Sequence, residues 1–208
     1  MVKFETIRQL CAQRKIDRIA ITDHNTAEGA LQMHELAPEL IIVGEEIMTS
    51  CGELLGYFMS ETVPPGLSPE ETIARLRGQG AFISVSHPFD GMRKGAWEEG
   101  DLLRILDQVD AIETFNARCV VPAYNQRAAE FAGSHRLLAT VGSDAHSEVE
   151  YGRALMEMTP FYSADAFRAS LQTARPLARY SSPLVHFSST WAKQAKKLGL
   201  AERLWEGG

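Results

Sequence analysis

Short runs rich in Ile, Val and Leu alternate along this chain with stretches whose apolar residues recur at helical spacing. The runs lie at 18–22, 40–44, 53–58, 81–85, 109–112, 137–141 and 155–158. Each has strand length, and an apolar run of that length bounded by turn signals marks a buried strand. Residues 4–15 read as a helix, with Phe4, Ile7 and Cys11 on one stripe. Helices are also expected at 26–37, 101–108, 122–133 and 164–174, the last capped by Ser163. Ser68-Pro69-Glu70-Glu71 is a strong helix start, with a capping Ser, Pro at the first helical position and Glu to close a capping box. Segments 64–66 and 88–100 are loops. Strand alternating with helix implies a parallel sheet joined by crossover helices. With about seven strands, a barrel or a wrapped sheet is the natural architecture.

Five of these runs end in residue types that bind metals or move protons. They lead into Asp23-His24, Glu45-Glu46, Ser86-His87, Glu113 and Gly142-Ser143-Asp144-Ala145-His146. The carboxyl ends of parallel strands are where such folds build their sites. Imidazole mixed with carboxylate suits Zn, Mn or Fe. Two ions close together need a bridging carboxylate, and Glu46 is the candidate. Ions held this way generate hydroxide at neutral pH and stabilise displacement at phosphorus. Asp144 and His146 alternate along an extended segment, so both reach one pocket only if the chain bends after Gly142; Gly142, Ser143 and Ala145 are small enough to allow it. Asp23 reads either as a ligand or as a partner that orients His24, and Glu45 as a supporting or solvated residue. Glu113 is either part of the site or a structural hydrogen-bond partner. Arg118 could clamp a phosphate with its planar fork, and Arg93 and Lys94 offer the same chemistry against a reading as surface charge. His34, His135 and His186 fall away from the expected site.

Composition narrows the partners. The 208 residues carry a net charge of -6, with 45% apolar and 23% charged positions, as in one soluble globular domain. We assign residues 1–186 to that domain and 187–208 to a helical tail, with Trp191, Ala195 and Leu198 on one face. The acidic balance argues against a broad nucleic-acid surface and fits a small-molecule substrate. Cys11, Cys51 and Cys119 form no disulfide framework, no run approaches a membrane span and no secretory leader is legible, so a cytoplasmic location is expected.

Taken in order, Ile21-Thr22-Asp23-His24-Asn25, Gly44-Glu45-Glu46-Ile47, Ser86-His87-Pro88-Phe89 and Gly142-Ser143-Asp144-Ala145-His146 resemble successive motifs of the PHP family of metal-dependent phosphoesterases. The likeness spans residues 16–152, and Glu113-Thr114-Phe115-Asn116-Ala117-Arg118 resembles a segment that some members carry before the last motif. The resemblance implies an α/β fold, a distorted seven-stranded β/α barrel of the TIM-like type, with two or three divalent ions (Zn, Mn or Fe). It implies that His24 and His146 share one ion. Glu46, the Glu directly before Ile47, would bridge the other two, with His87 on one of that pair and Asp144 on the other. Cys119 is a conceivable stand-in for a further family ligand.

The family opens with a strand ending in His-x-His and an Asp soon after, whereas no His precedes His24 here. On this reading the chain starts one element late and lacks the first strand, its site being either completed by upstream sequence or impaired. The implied activity is hydrolysis of a phosphate ester on a small molecule, a nucleotide among the candidates, by a metal-activated hydroxide. Asp144, His146 and Arg118 would be its catalytic groups, and Arg118 and Asn116 would touch substrate. Two rivals stand beside it. An amidohydrolase would want a bridging Lys at a strand end, and none is present. A degenerate metal-binding or interaction module would be consistent with the absent first motif. The oligomeric state is open.

Overall fold

Eight strands and six α-helices follow one another along residues 3–182, which the computed structural model describes. The expected tail at 187–208, and His186 with it, lies outside the described residues. In chain order the elements are α1 (Phe4–Arg14), β1 (Ile19–Ile21), α2 (Glu28–Leu36), β2 (Ile41–Met48), β3 (Glu53–Tyr57), α3 (Pro69–Gly78) and β4 (Phe82–Val85). Then come α4 (Glu99–Ile105), β5 (Ala111–Asn116), α5 (Pro122–His135), β6 (Leu138–Gly142), β7 (Ala154–Glu157), α6 (Ala164–Leu171) and β8 (Arg175–Ala178).

The first six strands form one sheet in sequence order, β1-β2-β3-β4-β5-β6. It is mixed, not wholly parallel as expected. β1 pairs with β2, β4 with β5 and β5 with β6 in parallel, whereas β3 runs antiparallel to both β2 and β4. The reason is connection length. Four residues, Thr49 to Gly52, join β2 to β3, far too few for a crossover helix. The hairpin sets Met48 opposite Glu53, so the start of β3 lies at the end of the sheet where the parallel strands finish.

β1 and β6 are the outer strands, yet the sheet curls until their ends approach: the rings of His24 and His146 stand 6.1 Å apart. This is a half-barrel, open between β1 and β6. A cavity of about 1380 Å³ runs along the open side, lined by Ile19 and Ile21 on one flank and Thr140 and Gly142 on the other. β7 and β8 form a separate antiparallel pair. β8 left no trace in the apolar pattern because all its residues are exposed.

The outer face of the sheet carries the main core. Ile47, Leu54, Ile83, Val85 and Ile112 pack against Ile73 and Leu76 of α3, Leu102 and Ile105 of α4, and Ala128 and Ala132 of α5. A second cluster seats Ile7 and Cys11 of α1 on Met33 and Ile41, as the stripe on that helix predicts. A third gathers Phe82, Phe167, Tyr57 and Phe58, with Phe82 edge-on to Phe167 at 4.9 Å.

Local signals at two helix starts are realised in full. Ser68 accepts a hydrogen bond from the Glu71 N–H, Glu71 reaches back to the Ser68 N–H, and Pro69 follows the cap. Ser163 caps α6 through the Ala166 N–H. Removing the first cap with Ser68→Ala is expected to cost about 1 kcal/mol, read as a fall of roughly 2–4 °C in thermal unfolding.

Candidate metal centre

His24 follows β1 and is held in register by the neighbouring strand. The Glu46 N–H bonds the Asp23 carbonyl at 3.1 Å, and the Asn25 N–H bonds the Glu46 carbonyl at 2.8 Å. Asn25 takes a left-handed backbone (φ 58), and its side-chain oxygen accepts the Met48 N–H. The turn after β1 is thus stitched to β2, with the His24 ring beside Glu46.

Glu46 lies inside β2, where alternation sends neighbours to opposite faces. Glu45 points into the outer core and accepts the Val63 N–H. Burial pushes its pKa up to about 7, against that hydrogen bond. Glu46 faces inward, and its two oxygens part company. Oε2 stands 3.0 Å from His24 Nδ1, while Oε1 takes the Ser86 hydroxyl at 2.7 Å and His87 Nε2 at 3.2 Å. A carboxylate with one oxygen turned to each of two imidazoles has the disposition a bridge between two ions needs.

Glu53 completes this group, and strand-end reasoning missed it. It stands 3.1 Å from His87 Nε2 and 3.7 Å from His24 Nδ1. One ligand atom each from His24, Glu46 and Glu53 lies within 4.8 Å of the others. Gly95 makes room for Glu53, since a Cβ there would collide with the carboxylate. The readable signal was the short loop before Glu53, which demands a hairpin and places the start of β3 at the site.

His87 is almost wholly buried and sits in a left-handed backbone, φ 21, an unfavourable conformation for a residue with a side chain. The Glu113 carboxylate accepts its N–H at 3.0 Å and so holds it there. Burial works against charge on the ring, but hydrogen bonds to Glu46 and Glu53 outweigh it and push its pKa up to about 10. Burial likewise opposes the charge on Glu46, yet His87 beside it holds that carboxyl below the usual range. Glu113 behaves differently. Burial drives its pKa up to about 7, only partly opposed by His87 and by Asn116.

Asp144 also has a left-handed backbone (φ 48), and this residue makes the bend that was expected just after Gly142. The smallness of Gly142 serves another purpose: a Cβ there would strike Glu113. The bend brings Asp144 Oδ1 to 3.3 Å from His146 Nδ1 and Oδ2 to 2.6 Å from Arg93. Burial opposes the Asp144 charge, but Arg93 and His146 outweigh it and keep the carboxyl low. Glu150 accepts the His146 N–H and the Ser147 hydroxyl, pinning the loop.

Three expected roles fall differently. Arg118 is buried and pairs with buried Glu150 at 3.3 Å, behind the His146 loop, instead of forming a clamp on the open site. Asn116 is buried too; it donates to Glu113 and accepts the Arg118 N–H, which makes it a strut. The Cys119 thiol donates to the Val121 carbonyl, a structural engagement. His34 bonds the Ile41 carbonyl and His135 stacks on Phe131, both away from the centre.

The donors suit a divalent transition metal, mixing imidazole nitrogen with carboxylate oxygen. His87 Nδ1 and Asp23 Oδ2 are buried without a hydrogen-bond partner among the described residues, and such orphaned atoms call for a ligand, an ion or water. His24, Glu46, Glu53 and His87 could hold one or two ions, with Asp144 and His146 alongside.

The fold has counterparts among known proteins. The PHP-associated family model matches residues 122–176, from α5 into β8. A structure from Bacteroides vulgatus, a two-domain protein containing a predicted PHP-like metal-dependent phosphoesterase, superposes with a TM-score of 0.70 at 17% identity, over 86% of this chain and 61% of that one. The chain thus resembles PHP proteins over its last third of described residues and in its fold. Two uncharacterized proteins of Methanocaldococcus jannaschii are also similar. MJ1587 is 40% identical over 114 residues, and MJ0417 is 34% identical over 156 residues. These alignments take in 53% and 74% of this chain but only 64% and 62% of the relatives, so it spans less than two thirds of either. No helix among the described residues is long and apolar enough to cross a membrane.

Proposed function

We propose that this PHP domain hydrolyses phosphate esters of small molecules with divalent metal ions held at the His24, Glu46, Glu53 and His87 cluster. The observation that carries the reading is the convergence of two imidazoles and two carboxylates, with Glu46 turned to both rings, at the strand ends of a PHP fold. Divalent ions bound there would supply an activated water at neutral pH and offset negative charge developing at phosphorus. The protein's own part is positioning. Glu46 spans the two imidazoles, Glu113 fixes the His87 backbone, and Glu150 fixes that of His146. Asp144 and His146 stand next to the same centre and complete the ligand set.

The test is turnover of p-nitrophenyl phosphate and its diester after loading with Mn²⁺ or Zn²⁺. His87→Ala is expected to lower the rate at least about a hundredfold, as loss of an ion-holding group should. Wild-type turnover no greater than that of His87→Ala would overturn the reading.

A further inference from the structure

Asp144 faces a conflict that the fold has anticipated. One of its oxygens is turned to His146, and the other meets the Arg93 guanidinium at 2.6 Å. Arg93 belongs to the loop that starts at His87, so one short segment brings both an imidazole and a fixed positive charge to the centre. Its seat is built. Asp90, itself buried, takes the Arg93 Nε at 3.2 Å and uses its second oxygen to accept the Met92 N–H. Asn116 accepts from the far end of the guanidinium at 3.3 Å. The side chain is 23% exposed, so the guanidinium is held by a buried anchor without being sealed from solvent.

We propose that Arg93 is the counter-cation of Asp144 when the site is metal-free and the anion-binding residue once it is loaded. The inference rests on the metal-binding reading above. A guanidinium and a divalent ion repel one another, and both seek the same half-buried carboxylate. An arriving ion therefore weakens the hold of Asp144 on Arg93. Asp90 keeps the guanidinium at the rim, where its planar fork matches two oxygens of a phosphate. Binding of metal and of phosphate are then coupled, each strengthening the other, because each relieves the contact that opposes it. The same chemistry assigns the substrate end that enters first: a phosphate with at least two free oxygens.

The test is calorimetric titration with Mn²⁺ and with inorganic phosphate on the whole chain. Arg93→Met is expected to bind Mn²⁺ about tenfold more tightly than wild type, because a competitor is gone. Phosphate should tighten Mn²⁺ binding in the wild type and have no such effect in Arg93→Met. Arg93→Lys keeps the charge without the fork, so its Mn²⁺ affinity should stay near wild type while its phosphate binding weakens. On an Asp144→Asn background, Arg93→Met should no longer raise Mn²⁺ affinity. Wild type and Arg93→Met binding Mn²⁺ equally would overturn the inference and leave the proposed function standing. Failure of both to bind Mn²⁺ would remove the two together.

Discussion

Glu46→Gln is expected to weaken binding of Mn²⁺ or Zn²⁺ by at least about a hundredfold, while Glu45→Gln one position away leaves it nearly unchanged. The two residues differ only in the face of β2 they occupy. Glu46 sends one oxygen to His24 and the other to Ser86 and His87, so an amide in its place removes a charge and turns one acceptor into a donor aimed at an imidazole. Glu45 is buried on the opposite face, where Val63 is its hydrogen-bond partner. Its pKa is already raised to about 7 by burial, so a neutral amide suits that position well. Metal titration of the two variants, with circular dichroism to show that both are folded, gives the comparison. Equal losses in the two would mean that the centre lies elsewhere.

Metal affinity should also climb steeply with pH. In the metal-free protein burial disfavours charge on His87, but Glu46 and Glu53 prevail and raise its pKa to about 10. At neutral pH the ring carries a proton that an ion must displace. One proton released per ion makes the apparent affinity rise about tenfold per pH unit, or about a hundredfold between pH 7 and pH 9. The sign for stability is opposite. The folded pKa stands above the ordinary histidine value of about 6.5, so His87 contributes stability to the metal-free protein that is complete below about pH 6.5. That contribution is lost as the pH rises through about 10. The metal-free protein should therefore melt at lower temperature as the pH is raised from neutral, and bound metal should reduce the loss. Titrations and melts across this range test both halves. A metal affinity flat between pH 7 and pH 9 would show that His87 holds no proton there.

Much of this centre was legible without coordinates, for a local reason. His24, Glu46, His87, Asp144 and His146 each sit in or just beyond an apolar run, and alternation within a strand sets the face a side chain takes. The capping box at Ser68 and the stripe on α1 are equally local. What escaped was nonlocal. β8 is exposed along its length and has no apolar pattern to betray it. Arg118 and Arg93 are the same residue type on two loops of one sheet end. Only packing shows that Glu150 holds one in the interior while Asp90 turns the other to Asp144.

The sequence by itself determined which residue types stand at the ends of the apolar runs, and with them the donor types of the candidate centre. Tertiary structure decided the direction of β3. Because that strand is antiparallel, its start joins the finishing ends of its neighbours, and Glu53 enters the centre from the end that a parallel sheet would turn away. Neither periodicity nor composition carries strand direction; the length of the connection does, and that length is four residues only because pairing with β3 carries β2 on to Met48, past the apolar run that ends at Gly44.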